Sequence, residues 1–252
     1  MVLITGPTGS GKTTTIYSAL SELNTSKRNI STAEDPVEFN LDGINQVQIN
    51  SEIGFNFPST LRAFLRQDPE IIMVGEIRDL ETGKIAYKAA STGHMVLSTL
   101  HTNDAVSTIM RLLNMGLPPF MVAEATSIVV AQRLLKVVCK NCSESYQPEP
   151  SVLIDLGVPE NELADYTSVK RSSGCTYCNG TGTQGRRPVF EVFKFYENVI
   201  EAVLQGKTAQ EIKKIAVFQN KMKSMRMNAL IALKEGLITI DEVINVTVKD
   251  NL

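Results

Sequence analysis

The sequence predicts an α/β protein whose mostly parallel sheet is covered by helices, and three observations carry that expectation. Val2-Leu3-Ile4-Thr5 is a short apolar run followed at once by a Gly-rich stretch and then by a helix-compatible segment, Thr13 to Leu23. Ile71 to Val74 and Met95 to Ser98 are further apolar runs of strand length. Between them, Leu80 to Thr92 carries Ile85, Ala86, Ala89 and Ala90 at helical spacing, so strand and helix alternate along the chain. Units of this kind stack side by side into a parallel sheet.

The remaining elements follow in order. Asn103 to Leu113 and Pro119 to Leu134 continue the helical pattern and are expected to close a first domain, residues 1–138. Residues 139–187 turn rich in Cys, Gly, Ser, Pro and Thr, with weak helical pattern only at Ser151 to Leu156 and Glu160 to Tyr166, and read as a small module held by something other than a core. Residues 188–252 form a C-terminal helical region. In it Thr208-Ala209-Gln210-Glu211 and Thr239-Ile240-Asp241-Glu242 have the capping-box form, and Gly236 ends the helix through Met227 to Lys234.

Composition bounds the function. Of 252 residues, 43% are hydrophobic and 21% charged, which suits a folded globular chain rather than a disordered or fibrous one. Lys and Arg number 25 against 27 Asp and Glu, so the net charge of −2 gives no field to draw in nucleic acid, and no nucleic-acid partner is expected. No apolar run approaches the roughly 20 residues of a membrane span, and the first residues lack a signal-peptide pattern, so a cytosolic location is expected.

The strongest chemical signal is Gly6-Pro7-Thr8-Gly9-Ser10-Gly11-Lys12-Thr13, which fits G-x-x-x-x-G-K-[ST] between a predicted strand and a predicted helix. The glycines let backbone N–H groups converge on phosphates at the positive end of the helix; Lys12 reaches the β- and γ-phosphates and the Thr13 hydroxyl takes a place on Mg²⁺. Ile71 to Glu76 reads as a strand ending in an acid, the element that approaches the metal and its waters. Glu34-Asp35-Pro36-Val37-Glu38 is a second acidic group, and either cluster has a carboxylate able to orient or deprotonate an attacking water. Taken alone, the second group reads as a solvated loop.

Four cysteines form two C-x₂-C pairs, Cys139/Cys142 and Cys175/Cys178, separated by 32 residues. Four thiolates suit the tetrahedral preference of structural zinc, with no vacant position for chemistry, and Gly174, Gly180 and Gly182 permit turns that face N–H groups toward sulfur. Unliganded structural cysteines are the alternative.

The P-loop GPTGSGKTT, the box EDPVE, the segment FLRQDPEIIMVGEIRD and the run TGHMVLSTLHTNDA, in that order, resemble the secretion and pilus assembly ATPases of the GspE/PilB type over essentially the whole chain. The resemblance implies a RecA-like P-loop NTPase core that uses ATP, magnesium and zinc, with Gly6 to Thr14 on the nucleotide, Glu38 as general base and Glu76 as the second acid on magnesium. It further implies that His94 and His101 form a histidine box that senses the γ-phosphate or links it to domain movement, and that Arg62 and Arg66, four apart on a short helix after Pro58, bear on phosphates; the positions of the two histidines around the strand Met95 to Ser98 are read as placing both near the same sheet edge as Glu76. Without it, His94 reads as a structural histidine, His101 as a strand-end residue and the arginines as a solvated face. Also implied are a ring of six copies in the full-length protein, an inner-membrane platform protein as partner, a position at the inner face of the membrane, and assembly rather than retraction because of the cysteine module. The family's motor follows another domain that supplies arginines and subunit contacts, so this chain is expected to be the motor portion. A nucleotide switch without turnover and a nucleic-acid translocase are the competing readings; the presence of both Glu38 and Glu76 favours a motor, and the charge balance argues against the translocase.

Overall fold

A computed structural model describes residues 1–250. Its main sheet has seven strands in the order β3-β2-β4-β5-β1-β6-β9. These are β1 (Val2–Thr5), β2 (Ile30–Glu34), β3 (Asn45–Gln48), β4 (Ile71–Val74), β5 (Met95–Leu100), β6 (Ile128–Val138) and β9 (Thr183–Lys194). From β3 across to β6 every pairing is parallel, with Ile4 opposite Thr99 and Val130, and Thr32 opposite Met73. The alternating units therefore form the parallel sheet expected from the sequence.

Packing divides the molecule into two compact units, Met1–Ala131 with Val192–Lys221, and Gln132–Glu191 with Met222–Leu252. This grouping differs from the three consecutive segments drawn from the sequence, because segments far apart in the chain share each unit. The first unit has helices α1 (Lys12–Leu23), α2 (Phe57–Phe64), α3 (Leu80–Ser91), α4 (Ala105–Asn114), α5 (Pro119–Ala125), α7 (Glu197–Leu204) and α8 (Ala209–Lys214). Its core begins where Ile16, Tyr17 and Leu20 of α1 bury against Ile4, Ile30, Ile71, Met73 and Leu97 of the strands. Each such side chain taken out of water contributes roughly 1.5–3 kcal/mol. Side-chain caps start the helices: Asp79 accepts from the Thr82 N–H at 2.8 Å, Asp104 from Ser107 at 2.7 Å, and Thr208 exchanges bonds with Glu211 as its capping-box spacing predicts.

Two expectations fail here. Pro119 to Leu134 is not one helix: α5 ends at Ala125 and β6 begins at Ile128, where Ile128-Val129-Val130 pairs with β1. β-branched side chains in a row favour the pleated sheet, and the apolar positions that imitated a helix face belong to a strand. Residues 183–194, assigned to the cysteine module and the C-terminal helices, are the strand β9.

The second unit contains the two-stranded antiparallel sheet of β7 (Ser143–Ser145) and β8 (Lys170–Ser172), with α6 (Pro150–Leu156), α9 (Met225–Lys234) and α10 (Ile240–Val246). It has buried apolar residues of its own, among them Leu153, Leu156, Val169, Leu230, Leu233 and Val243. Gly236 ends α9 at φ 67°, and a Cβ there would lie 2.4 Å from the Ser168 carbonyl oxygen, so handedness and close approach both demand glycine. Thr239 caps α10, whereas the Glu242 carboxylate bonds the Lys136 N–H at 2.7 Å instead of completing the box. Among the described residues no helix is long and apolar enough to cross a membrane.

Candidate functional site

Parallel strands bring their carboxyl ends to one edge, which is where open α/β sheets bind ligands. Gly6 to Gly11 leaves that edge from β1, with Gly9 at φ 77° and Gly11 at φ 85° turning the backbone through left-handed conformations. Gly11 precedes α1, and no side chain caps the first turn, so its N–H groups are turned toward the loop without a side-chain acceptor. Gly6 and Ser10 are buried while Pro7, Thr8 and Gly9 face solvent, with Thr13 half-buried and Thr14 exposed behind them. The Lys12 ammonium arches back over the loop, donating to the Gly6 carbonyl at 2.9 Å and the Pro7 carbonyl at 3.0 Å. Two of its three protons are thereby directed, fixing the amine where a phosphate oxygen would meet it. Burial lowers its pKa, and the negative charge of Glu76 acts in the opposite sense.

Glu76 follows β4 and is buried to 9% exposure, with one carboxylate oxygen paired to Arg78 and the other 3.6 Å from His101 Nε2. The ion pair holds Arg78 above the ordinary arginine pKa. His101 leaves the end of β5, and the loop after it is tied to β1 because Thr102 donates its N–H to Thr5 Oγ1 at 3.1 Å. Thr99 Oγ1 donates to the Gly75 carbonyl at 2.6 Å, which pins the approach to Glu76. Lys12, Glu76 and His101 thus stand on one edge.

The acidic group splits in two. Glu34 ends β2 at 3% exposure and accepts from Tyr17, from Thr32 and from Gln46 Nε2 at 3.1 Å. Glu38 lies on the exposed loop beyond, and its carboxylate makes no hydrogen bond or ion pair among the described residues. The sequence reading did not single out Tyr17, Gln46, Arg78 or Thr102. Tyr17 carried a usable signal, a phenol on the buried face of a helix, which requires a polar partner.

His94 is a correction. It precedes β5, so it stands at the amino ends of the parallel strands, about 20 Å along a six-residue strand from His101 and opposite the edge of Glu76. Its Nδ1 lies 3.1 Å from the Ala89 carbonyl oxygen, which only accepts, so that nitrogen carries the proton and the ring closes the end of α3. Of the two arginines expected on one short helix, Arg62 lies on α2 and pairs with Glu81 at 2.7 Å, whereas α2 ends at Phe64 and Arg66 lies beyond it. Neither bonds to the P-loop, Glu38 or Glu76 among the described residues.

The four cysteine sulfurs lie within 4.8 Å of one another. Three of the separations are 3.9 Å for Cys139 to Cys175, 3.8 Å for Cys142 to Cys178 and 3.8 Å for Cys175 to Cys178. A tetrahedron with Zn–S bonds of about 2.3 Å has edges of about 3.8 Å, whereas a disulfide needs about 2.05 Å. The N–H groups of Cys175 and Gly182 each point at Cys178 Sγ at 3.2 Å, the way thiolates on a metal are supported from outside. Burial works against ionisation of Cys178, but those two N–H groups, with the neighbouring Cys175 and Cys142 thiols, lower its pKa. The donor set fits zinc.

A parallel sheet with a phosphate-shaped loop at its carboxyl edge, a lysine over the loop and an acid beside it defines the P-loop NTPase class. The chain belongs to the type II/IV secretion system protein family, whose profile matches residues 1–245. It is 51% identical over 251 residues to the type IV pilus assembly ATPase PilB of Myxococcus xanthus, covering 99% of this chain and 44% of that protein. It is 42% identical over 250 residues to the type II secretion system protein E of Aeromonas hydrophila, covering 99% of this chain and 49% of that protein. The chain thus spans about half the length of the curated relatives it matches. Among solved structures, the pilus retraction motor PilT with bound ADP has a TM-score of 0.72 at 27% identity, over 98% of this chain and 60% of that one. The Legionella pneumophila ATPase DotB has a TM-score of 0.69 at 26% identity, over 97% and 59%.

Proposed function

We propose that this chain binds and hydrolyses ATP as the motor portion of an assembly ATPase that powers a type IV pilus or a type II secretion machine. The observation that carries the reading is the meeting of Lys12, Glu76 and His101 at the P-loop edge, in a chain whose relatives are named for these machines. In this reading Gly6 to Thr14 wraps the phosphates, and Lys12 neutralises them. Thr13 and Glu76 hold magnesium, which when bound offsets the charge of the phosphate oxygens. Glu38 takes the proton of the attacking water. His101 passes a change at Glu76 into the loop tied to β1. The full-length protein works as a ring of six at the inner face of the membrane, against a platform protein. The test is phosphate release by the full-length protein with magnesium, with and without that platform protein. Magnesium-dependent turnover, raised by the partner, is expected. Nucleotide binding with no turnover above a Lys12→Ala control would leave a switch instead of a motor.

The cysteine cluster is proposed to hold one structural zinc per chain. Elemental analysis of protein purified without chelator should give one equivalent, and a value near zero would remove the assignment. Cys178→Ser should raise protease sensitivity across 139–187 before it affects nucleotide binding, since the metal would tie Cys139 and Cys142 to Cys175 and Cys178 within that segment.

A further inference from the structure

Tyr17 stands five residues after Lys12 on α1, about 7.5 Å along the helix axis, and is 2% exposed. A phenol hydroxyl has one proton to give and can also accept, and here it does both. The hydroxyl donates to Glu34 Oε2 and accepts from the backbone N–H of Glu38 at 3.3 Å. Gln46 grips the same loop further on, donating to the Phe39 carbonyl at 3.2 Å and accepting from the Leu41 N–H at 2.6 Å. The Phe39 ring packs edge-on to Tyr17, with centroids 4.7 Å apart at 75°. Burial, then the bond to Glu34, push the phenol up to about 12, so it stays a neutral donor at physiological pH.

The loop from Asp35 to Leu41 is exposed except at Val37 and Leu41, which are half-buried, and the Glu38 carboxylate has no bonded partner of its own among the described residues. What locates Glu38 is therefore its backbone, and the tether on that backbone is the hydroxyl of the helix that opens at the P-loop. We propose that Tyr17 is a positioning residue for hydrolysis, holding Glu38 at a fixed place relative to the P-loop through the Glu38 N–H. This rests on the reading of Glu38 as general base. Loss of the tether leaves phosphate binding intact, because Lys12 and the loop N–H groups are untouched, but it frees the base. A displacement of about 1 Å at a reacting group costs on the order of 10²-fold in rate.

The test is the full-length Tyr17→Phe protein, which keeps the ring on Phe39 and removes only the hydroxyl. A fall in kcat of roughly 10- to 100-fold is expected, with the KM for ATP within about two-fold of wild type. Amide hydrogen exchange should quicken in the peptide spanning 35–41 and stay unchanged in β5. Tyr17→Phe also takes a donor from buried Glu34, so Tyr17→Phe/Glu34→Gln is made alongside to remove the stranded charge. That pair should recover melting temperature and keep the low kcat, which a merely structural tyrosine would not do. Wild-type kcat in either variant, while Glu38→Gln is inactive, overturns the positioning role and leaves the base assignment standing. An active Glu38→Gln protein overturns the base assignment itself, and with it this proposal.

Discussion

Replacing Lys12 with Ala is expected to weaken ATP binding by about 2–5 kcal/mol, or some 30- to 5000-fold in Kd, the range for losing one partner of a desolvated charge pair. The ammonium is buried and aimed by its two loop carbonyls, so its charge is delivered to the phosphates without reorganisation. Removing it also takes the ammonium donor from the buried Gly6 carbonyl and leaves Glu76 balanced by Arg78 alone, and both effects push phosphate away. A melting curve run beside a fluorescent ATP-analogue titration separates loss of the loop's shape from loss of the charge. If the variant melts near the wild-type temperature and binds as tightly as wild type, the P-loop assignment fails.

How much of this was legible before any coordinates follows from where each signal resides. The strands flanking the P-loop are uninterrupted apolar runs because they are buried on both faces, and such runs are read directly. The P-loop and the C-x₂-C pairs are local in sequence, so spacing alone found them. Lost signals were those set by distant partners. Pro119 to Leu134 has apolar positions compatible with either a helix or a strand, and only the place beside β1 decides for β6 after Ala125. His94 and His101 are seven residues apart, but a strand between them sends one to each end of the sheet, so proximity in sequence argued for the wrong geometry. The acidic group Glu34 to Glu38 looked uniform because a charge count cannot tell a strand's last residue from the loop after it. Tyr17 and Gln46, which separate those two glutamates chemically, come from elements 17 and 12 residues away from Glu34.

That separation leads to the sharpest expected contrast. Glu38→Gln should keep ATP affinity and lose hydrolysis by about 10²–10⁴-fold, the usual worth of a positioned general base, since an amide keeps the shape and cannot take a proton. Glu34→Gln should behave differently. Both Glu34 oxygens accept from the fold, with Tyr17, Thr32 and Gln46 filling three of its about four lone-pair sites, and the carboxylate is buried at the end of β2. Glu38 is exposed, carries no side-chain bond among the described residues, and is held only through its backbone. A base must reach water, and of the two only Glu38 does. Glu34→Gln is accordingly expected to lower the melting temperature, because its amide must offer a donor where three donors already converge. Steady-state phosphate release and analogue binding on the two full-length variants decide it. Near wild-type turnover in Glu38→Gln, with inactivity in a folded Glu34→Gln, would invert the roles and move the base to the end of the strand.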